Sequence, residues 1–469
     1  MSESGLNRNK RSIFVFYAAL FSLTIAAYWW IQYKGSVFTV QFLTPATPNG
    51  SKEIHRQIDT LLHFLLAMSV VVIAARVMGA IFKLIHEPPV IGEVLGGIML
   101  GPSLLGRYMP ELQATLLPHE SIPFVGIIAQ LGVIFYMFLI GLEFDLKVLK
   151  RSGHATLAIS HASIMIPFTL GGLLALKLYP EFRAPGVSFI NFALFLGVSM
   201  SVTAFPVLAR ILSDKKVTRT RMGRIALTSA AVDDVTAWVL LAFVVSMAQA
   251  KIGNALITLF LTVIYIFAMF YLGRPLIARL VPYLEKLDRL TEGGIAIIFV
   301  ALLLSALATE AIGIHALFGA FCLGAVTPHS SRVAKELSDR LEDLVRVMFL
   351  PAFFAFTGLR TQIGLLDRAE DWKVCGLIIL VATIGKFGGT FVASRFVGLS
   401  WRDSAAMGTL MNTRGLVELI VLNLGLDLKI ISPTMFTMLV VMALVTTFIT
   451  SPVFTLLTRK HPWTEEPIQ

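Results

Sequence analysis

Charged side chains are scarce in this chain: Asp, Glu, Lys and Arg make up 14% of its 469 residues, against 56% hydrophobic ones. A soluble domain carries nearer a quarter charged residues, so this shortage, with a mean hydropathy of +0.79, excludes an ordinary soluble protein and points to a polytopic membrane protein. Cysteine is almost absent. Its two copies, Cys322 and Cys375, lie inside apolar runs, so neither a disulfide framework nor a thiolate metal site is expected. Acids are outnumbered by bases, 29 against 39, giving a net charge of +10. In a soluble chain that would suggest nucleic acid, but here the bases gather in short loops between apolar segments, as membrane topology requires. Nucleic-acid binding is excluded on that ground.

Apolar windows of about 19 residues place helices near 13–32, 58–83, 89–105, 123–146, 153–179, 188–212, 221–249, 253–273, 291–312, 313–328, 342–365, 372–396, 401–427 and 432–458. The expected fold is all-α, with about fourteen transmembrane helices. Residues 1–57 form a tail, an additional helix and a loop; 58–458 form the transmembrane domain; 459–469 form a short tail. Arg8, Lys10, Arg11, Lys147, Lys150, Lys215, Lys216, Arg274, Arg332, Arg402 and Arg459 fall on one side of the membrane. Both termini are therefore expected in the cytoplasm, with the plasma (inner) membrane as the location. A cleaved signal peptide is the rival reading of residues 1–30; the bulky Tyr28, Trp29 and Trp30 favour an uncleaved helix with interfacial aromatics.

The runs Phe138-Leu-Ile-Gly-Leu-Glu143 and Ala355-Phe-Thr-Gly-Leu-Arg360 match, as do Leu95-Gly-Gly-Ile-Met-Leu-Gly101 and Phe318-Gly-Ala-Phe-Cys-Leu-Gly324. Matches seven helices apart reverse direction across the bilayer. The chain thus reads as an inverted-topology repeat, 58–249 and 291–458, joined by a connector helix at 253–273. Inverted repeats are the architecture of secondary transporters, with a midplane site formed by discontinuous helices.

Asp233 and Asp234 lie side by side in the apolar run Arg224–Val244. One carboxylate at this depth costs about 2.5–3.5 kcal/mol or more, so the pair is expected to hold a cation, a proton or a basic partner. The preceding helix carries Ser199, Ser201, Thr203 and Pro206, and its repeat mate carries Asn412, Thr413 and Gly415. Pro206 removes a backbone hydrogen bond, so two discontinuous helices are expected to cross here. Lys386, in Ile384-Gly-Lys-Phe-Gly, lies equally deep. Neighbours on a helix point about 100° apart, so one aspartate is expected to pair with Lys386 while the other opens to a water-filled path. Proton and cation then compete for the same oxygens. Arg414 and Glu418, four apart, can pair on one helix face in a structural or gating role. Glu93 and Glu143 read as structural, and Glu310 and His315 as residues of a solvated connection, with pH sensing as the alternative.

Pro89-Val-Ile-Gly-Glu-Val-Leu-Gly-Gly-Ile-Met-Leu-Gly-Pro-Ser103, Phe138-Leu-Ile-Gly-Leu-Glu-Phe-Asp145, Ala231-Val-Asp-Asp234, Gly313-Ile-His-Ala-Leu-Phe-Gly319 and Gly385-Lys386 together resemble the monovalent cation:proton antiporters. The resemblance is to the second branch of that superfamily, which holds bacterial sodium/proton antiporters, Kef systems and plant CHX exchangers, and it runs from about residue 58 to 458. It implies a homodimer in lipid, with no cofactor and a core domain that moves like an elevator. By position it makes Asp234 the essential cation- and proton-binding residue, Asp233 and Lys386 a salt-bridged pair, and Thr203 part of the unwound helix. A double aspartate implies electrogenic exchange. Asn412-Thr-Arg-Gly-Leu-Val-Glu418 looks more like the CHX branch, where potassium is often handled, and the short C-terminal tail makes Kef-type ligand gating unexpected.

The expected function is therefore a secondary antiporter and not an enzyme, with Na+ or K+ exchanged for H+. A cation channel or uncoupled potassium efflux pathway is the alternative. An intramembrane aspartyl protease needs two carboxylates facing each other, which neighbours on one helix do not do. Na+, K+ and Li+ all accept oxygen ligands, so cation identity stays open.

Overall fold

The computed structural model describes residues 60–459 apart from 86, 119, 144–152, 219, 250–254, 286–290 and 329–330, together with 19–34 apart from 21, 31 and 32, and Trp463. Most of the expected tail and loop within 1–57, most of the tail 459–469 and the end of the Phe138–Asp145 motif lie outside the described residues. What is described is built from helices. They include α1 (Thr60–Leu84), α2 (Pro89–Leu100), α3 (Ile122–Glu143), α4 (His154–Phe182), α5 (Phe189–Ser201), α6 (Phe205–Asp214), α7 (Arg221–Gln249), α8 (Ala255–Ala268) and α9 (Glu292–Ile312). There follow α10 (Ala316–Val326), α11 (Arg332–Leu344), α12 (Leu350–Arg360), α13 (Ala369–Thr383), α14 (Gly389–Phe396), α15 (Trp401–Met411), α16 (Leu416–Asp427) and α17 (Pro433–Thr458).

Helix starts follow local chemistry. Side chains of Ser188, Thr291, Ser331, Ser400 and Ser432 accept hydrogen bonds from the backbone N–H three residues on, meeting donors that every helix leaves free at its first turn. π-turns at Val345–Phe349 and Ile384–Gly388 join α11 to α12 and α13 to α14 without ending the helix.

By length and composition, eleven segments among the described residues are able to cross a membrane, and twelve if the bent pair α15–α16 is one span. The expected count of fourteen is not confirmed. α10 has 11 residues, about 16 Å of helix against a hydrocarbon core of about 30 Å. The first expected helix is described only in part. There the Tyr28 hydroxyl donates to the Phe168 carbonyl of α4 at 3.1 Å and its ring stacks on Phe168, while Trp29 and Trp30 stay exposed.

Burial sorts the helices. The span Phe260–Tyr283 has none of its most apolar window buried, as suits a surface facing lipid. In α16, by contrast, Leu416 to Gly425 are buried without interruption, and a helix apolar on every side belongs in a core. Two helix pairs meet backbone to backbone. Gly97 of α2 abuts the Ala355 carbonyl of α12, and Gly358 of α12 abuts the Val94 carbonyl of α2. Gly141 of α3 and Gly324 of α10 sit in the same way against the Phe321 and Phe138 carbonyls. Under the proposed repeat α2 corresponds to α10 and α3 to α12, so each contact is the counterpart of the other.

A Cβ at Gly97 meets the Ala355 backbone, whereas one at Gly376 meets nothing. Gly97→Val is expected to cost at least about 1–3 kcal/mol through overpacking, and Gly376→Ala to be near neutral. Thermal unfolding of the detergent-purified variants checks this; equal melting temperatures would refute the close packing.

Candidate functional site

Two helix breaks meet at the centre. α5 ends at Ser201 and α6 begins at Phe205, with Val202 and Ala204 extended. Pro206 lies in the first turn of α6, where its missing N–H costs nothing. The second break, Asn412–Gly415, bends α15 against α16 by 43°. The breaks are tied together: the Ala204 N–H donates to the Thr413 carbonyl at 3.0 Å, and the Thr203 hydroxyl lies 3.2 Å from the Met411 carbonyl.

A helix that stops inside an apolar slab leaves carbonyls at its C-terminus with partial negative charge. At the end of α5 these are met by cations. Arg414 donates from Nη1 to Ser199 O and from Nη2 to Met200 O, each at 2.7 Å, and Lys386 donates from Nζ to Ser201 O at 2.6 Å. Ser199 and Ser201 turn their hydroxyls back onto their own helix, so their carbonyls, not their side chains, take part. The π-turn of Ile384–Gly388 delivers Lys386, with Gly385 seated against Pro167 of α4.

Each cation has a carboxylate. Lys386 Nζ lies 3.0 Å from Asp233 Oδ2, with both side chains fully buried. Asp233 also accepts from Ser160 and Ser163 of α4, each at 2.5 Å, and from Thr203 at 2.7 Å. Arg414 pairs with Glu418 at 2.8 Å, again fully buried. This pair is not the intrahelical one expected from spacing, because Arg414 stands in the break before α16 begins. Its own N–H is held by Thr447 of α17 at 3.1 Å.

Asp234 differs from its neighbour. It is 6% exposed and close to the start of α6, where the Phe205 N–H serves it, but its Oδ1 has no protein partner. Asn412 Oδ1 and Thr413 Oγ1, buried at the second break, also lack one. The centre thus brings together Asp233, Thr203 and Lys386, and sets Ser201, Asn412, Thr413, Arg414 and Gly415 at the two breaks. Glu93 is buried on α2 against Gly79, and Glu143 is the last residue of α3. Glu310 and His315 are not simply solvated: they cap α10, accepting from the Ala316 and Leu317 N–H groups at 2.7 and 3.5 Å. Ser160 and Ser163 escaped the sequence reading. Their spacing of three on an apolar helix, which puts both on one face, was the available signal.

Buried paired charges beside two crossed helix breaks, in an all-helical membrane protein, define the class of monovalent cation:proton antiporters. A profile described as sodium/hydrogen exchanger, transmembrane, matches residues 68–460, and the chain belongs to that family. It is 43% identical over 396 residues to the Na+/H+ antiporter NhaS4 of Synechocystis, covering 84% of this chain and 97% of that one. Cation/H+ antiporter 19 of Arabidopsis thaliana is 38% identical over 88% of this chain and 52% of its own length. K+/H+ antiporter 1 of Saccharomyces cerevisiae is 35% identical over 83% and 46%. The chain therefore spans about half the length of the plant and yeast relatives. The solved sodium proton antiporter MjNhaP1 of Methanocaldococcus jannaschii shares the fold, with a TM-score of 0.50 at 14% identity over 85% of this chain and 97% of that one. These relatives are transporters, not enzymes.

Lys386→Met leaves Asp233 buried without its cation, a change that costs about 3–5 kcal/mol. A lower melting temperature is expected, with partial recovery in Lys386→Met/Asp233→Asn; no recovery would remove the pair as its cause. A second expectation concerns pH. Burial holds the His315 imidazole below the ordinary histidine value, with Glu310 and Asp427 pulling against it. The unfolded chain then takes a proton that the folded chain resists, so His315 adds stability above about pH 6.5 that is lost as pH falls through its depressed value. His315→Asn, which tolerates the positive φ of 75°, is expected to flatten the fall in melting temperature on acidification. An unchanged pH dependence would count against it.

Proposed function

We propose that the chain is a secondary antiporter exchanging protons for Na+ or K+, with both competing for Asp234. The observation that carries this reading is a charge count at the two breaks. Lys386 and Arg414 stand against Asp233, Asp234 and Glu418, all buried. Two cations against three carboxylates leave one negative charge; Asp234 and Glu418 each keep one unpartnered oxygen, but Lys386 pairs with Asp233 and Arg414 with Glu418, so the carboxylate without a cation of its own is Asp234. One proton or one monovalent cation balances it; both together overshoot. If only the balanced site crosses the membrane barrier, exchange is obligatory.

A desolvated alkali cation needs several oxygens, and Asp234, Asn412 and Thr413 offer buried ones without protein partners. The names of the relatives support both Na+ and K+ as cargo. The helices carrying the two breaks, with α4, α7, α13, α14 and α17, make up the moving core of an elevator, and the glycine-packed pairs α2–α12 and α3–α10 belong to its fixed partner. Electrogenic exchange further requires the Asp233–Lys386 pair to release a proton during the cycle. A homodimer in the plasma membrane with cytoplasmic termini completes the reading, supported by the one-sided basic loops and the unburied apolar span Phe260–Tyr283.

Purified protein in vesicles with an interior pH dye tests this. Adding Na+ or K+ on one side is expected to drive protons the other way in the native protein and not in Asp234→Asn. Normal exchange in that variant would sink the competition at Asp234, and cation current without proton movement would make the protein a channel.

A further inference from the structure

At the opposite end of α16 from its break lies a second polar cluster that the site does not use. Arg360, the last residue of α12, donates from Nη1 to Asn423 Oδ1 at 3.0 Å and from Nη2 to Asp427 Oδ1 at 2.6 Å, both on α16. Asn423 in turn donates from Nδ2 to Thr357 Oγ1 of α12 at 2.7 Å. The guanidinium also lies over Phe356 of α12 at 5.4 Å and Phe436 of α17 at 6.0 Å, and the Gln362 N–H reaches Thr437 of α17 at 3.2 Å. One side chain therefore ties the α12 end to both α16 and α17.

The place matters more than the strength. α12 is locked to α2 through Gly97 and Gly358, whereas α16 begins at the second break and carries Glu418 of the charge-balanced centre. The seam also differs from the Lys386–Asp233 pair in kind. Lys386 and Asp233 are fully buried, but Arg360 and Asp427 keep 21% and 37% of their side-chain surface in the open. Water is at hand to take over their hydrogen bonds when they part, so this contact can open and close where a buried pair resists. Beside it is a cavity of about 190 Å³ lined by Gln130, Glu310, His315, Asn423 and Asp427. That space lies between α12 with its neighbours α3 and α10 on one side and α16 on the other, so the end of α16 has room to shift.

We propose that Arg360 is a positioning residue for exchange: it latches α16 and α17 to α12 at the end of the molecule away from the basic loops, and must release Asn423 and Asp427 once in every transport cycle. The proposal rests on the elevator reading of the fold. It adds to that reading the contact that breaks.

The test bridges the seam. In a chain with Cys322→Ala and Cys375→Ala, Arg360→Cys and Asp427→Cys are introduced together and the protein is placed in vesicles. A bifunctional methanethiosulfonate reagent then joins the two thiols. Exchange is expected before bridging, to be lost after it and to return on addition of reductant, while Arg360→Cys alone is unaffected by the reagent. Normal exchange with the bridge in place overturns the latch and leaves antiport standing. Failure to bridge, when each thiol is labelled singly, overturns it equally, since the seam is then not closed. If the charge loss itself abolishes activity, Thr357→Cys with Asn423→Cys across the same seam gives the same readout with the Arg360–Asp427 ion pair left in place. Absence of exchange in the unsubstituted chain defeats the proposed function instead.

Discussion

Ending a helix within an apolar slab creates a debt of hydrogen bonds, and the centre of this protein is organised around meeting it. The last carbonyls of α5 have no helical donors, so Arg414 and Lys386 supply them. Two buried cations then require anions, and Asp233 and Glu418 answer. Asp233 is further surrounded by the hydroxyls of Ser160, Ser163 and Thr203. Only after this chain of compensation is complete does Asp234 stand out as the carboxylate the fold does not need for itself. On the proposed reading, function sits on what structural balance leaves over.

The fold was legible wherever composition alone decides. Long apolar runs, the Pro206 position and the Asn412–Gly415 interruption marked spans and breaks, because lipid tolerates little else. Legibility failed where geometry depends on partners distant in sequence. Ser160 and Ser163 look like ordinary helix-bonded serines until α7 is laid against α4. Arg414 looked like half of a helical pair, but its main task is at the end of α5, more than two hundred residues earlier in the chain. The Tyr28 hydroxyl likewise meets a carbonyl of α4 that lies 140 residues away in sequence.

The two halves of the molecule differ in how they are joined. At the centre, contacts are charged and directional, so a small displacement changes which atoms balance which. Along α2–α12 and α3–α10 they are steric and uncharged. Polar adaptability is thereby concentrated at the two breaks, and shape complementarity along the glycine-packed pairs.

Backbone laid directly on backbone has a mechanical consequence. Where Gly97 and Gly358 bring α2 and α12 together, there is no layer of side chains to repack, so the pair behaves as one beam that carries load along its length without yielding. Hydrostatic pressure favours whichever state encloses less void. It finds little to squeeze in such a beam, so the spacing of α2 and α12 is held under compression.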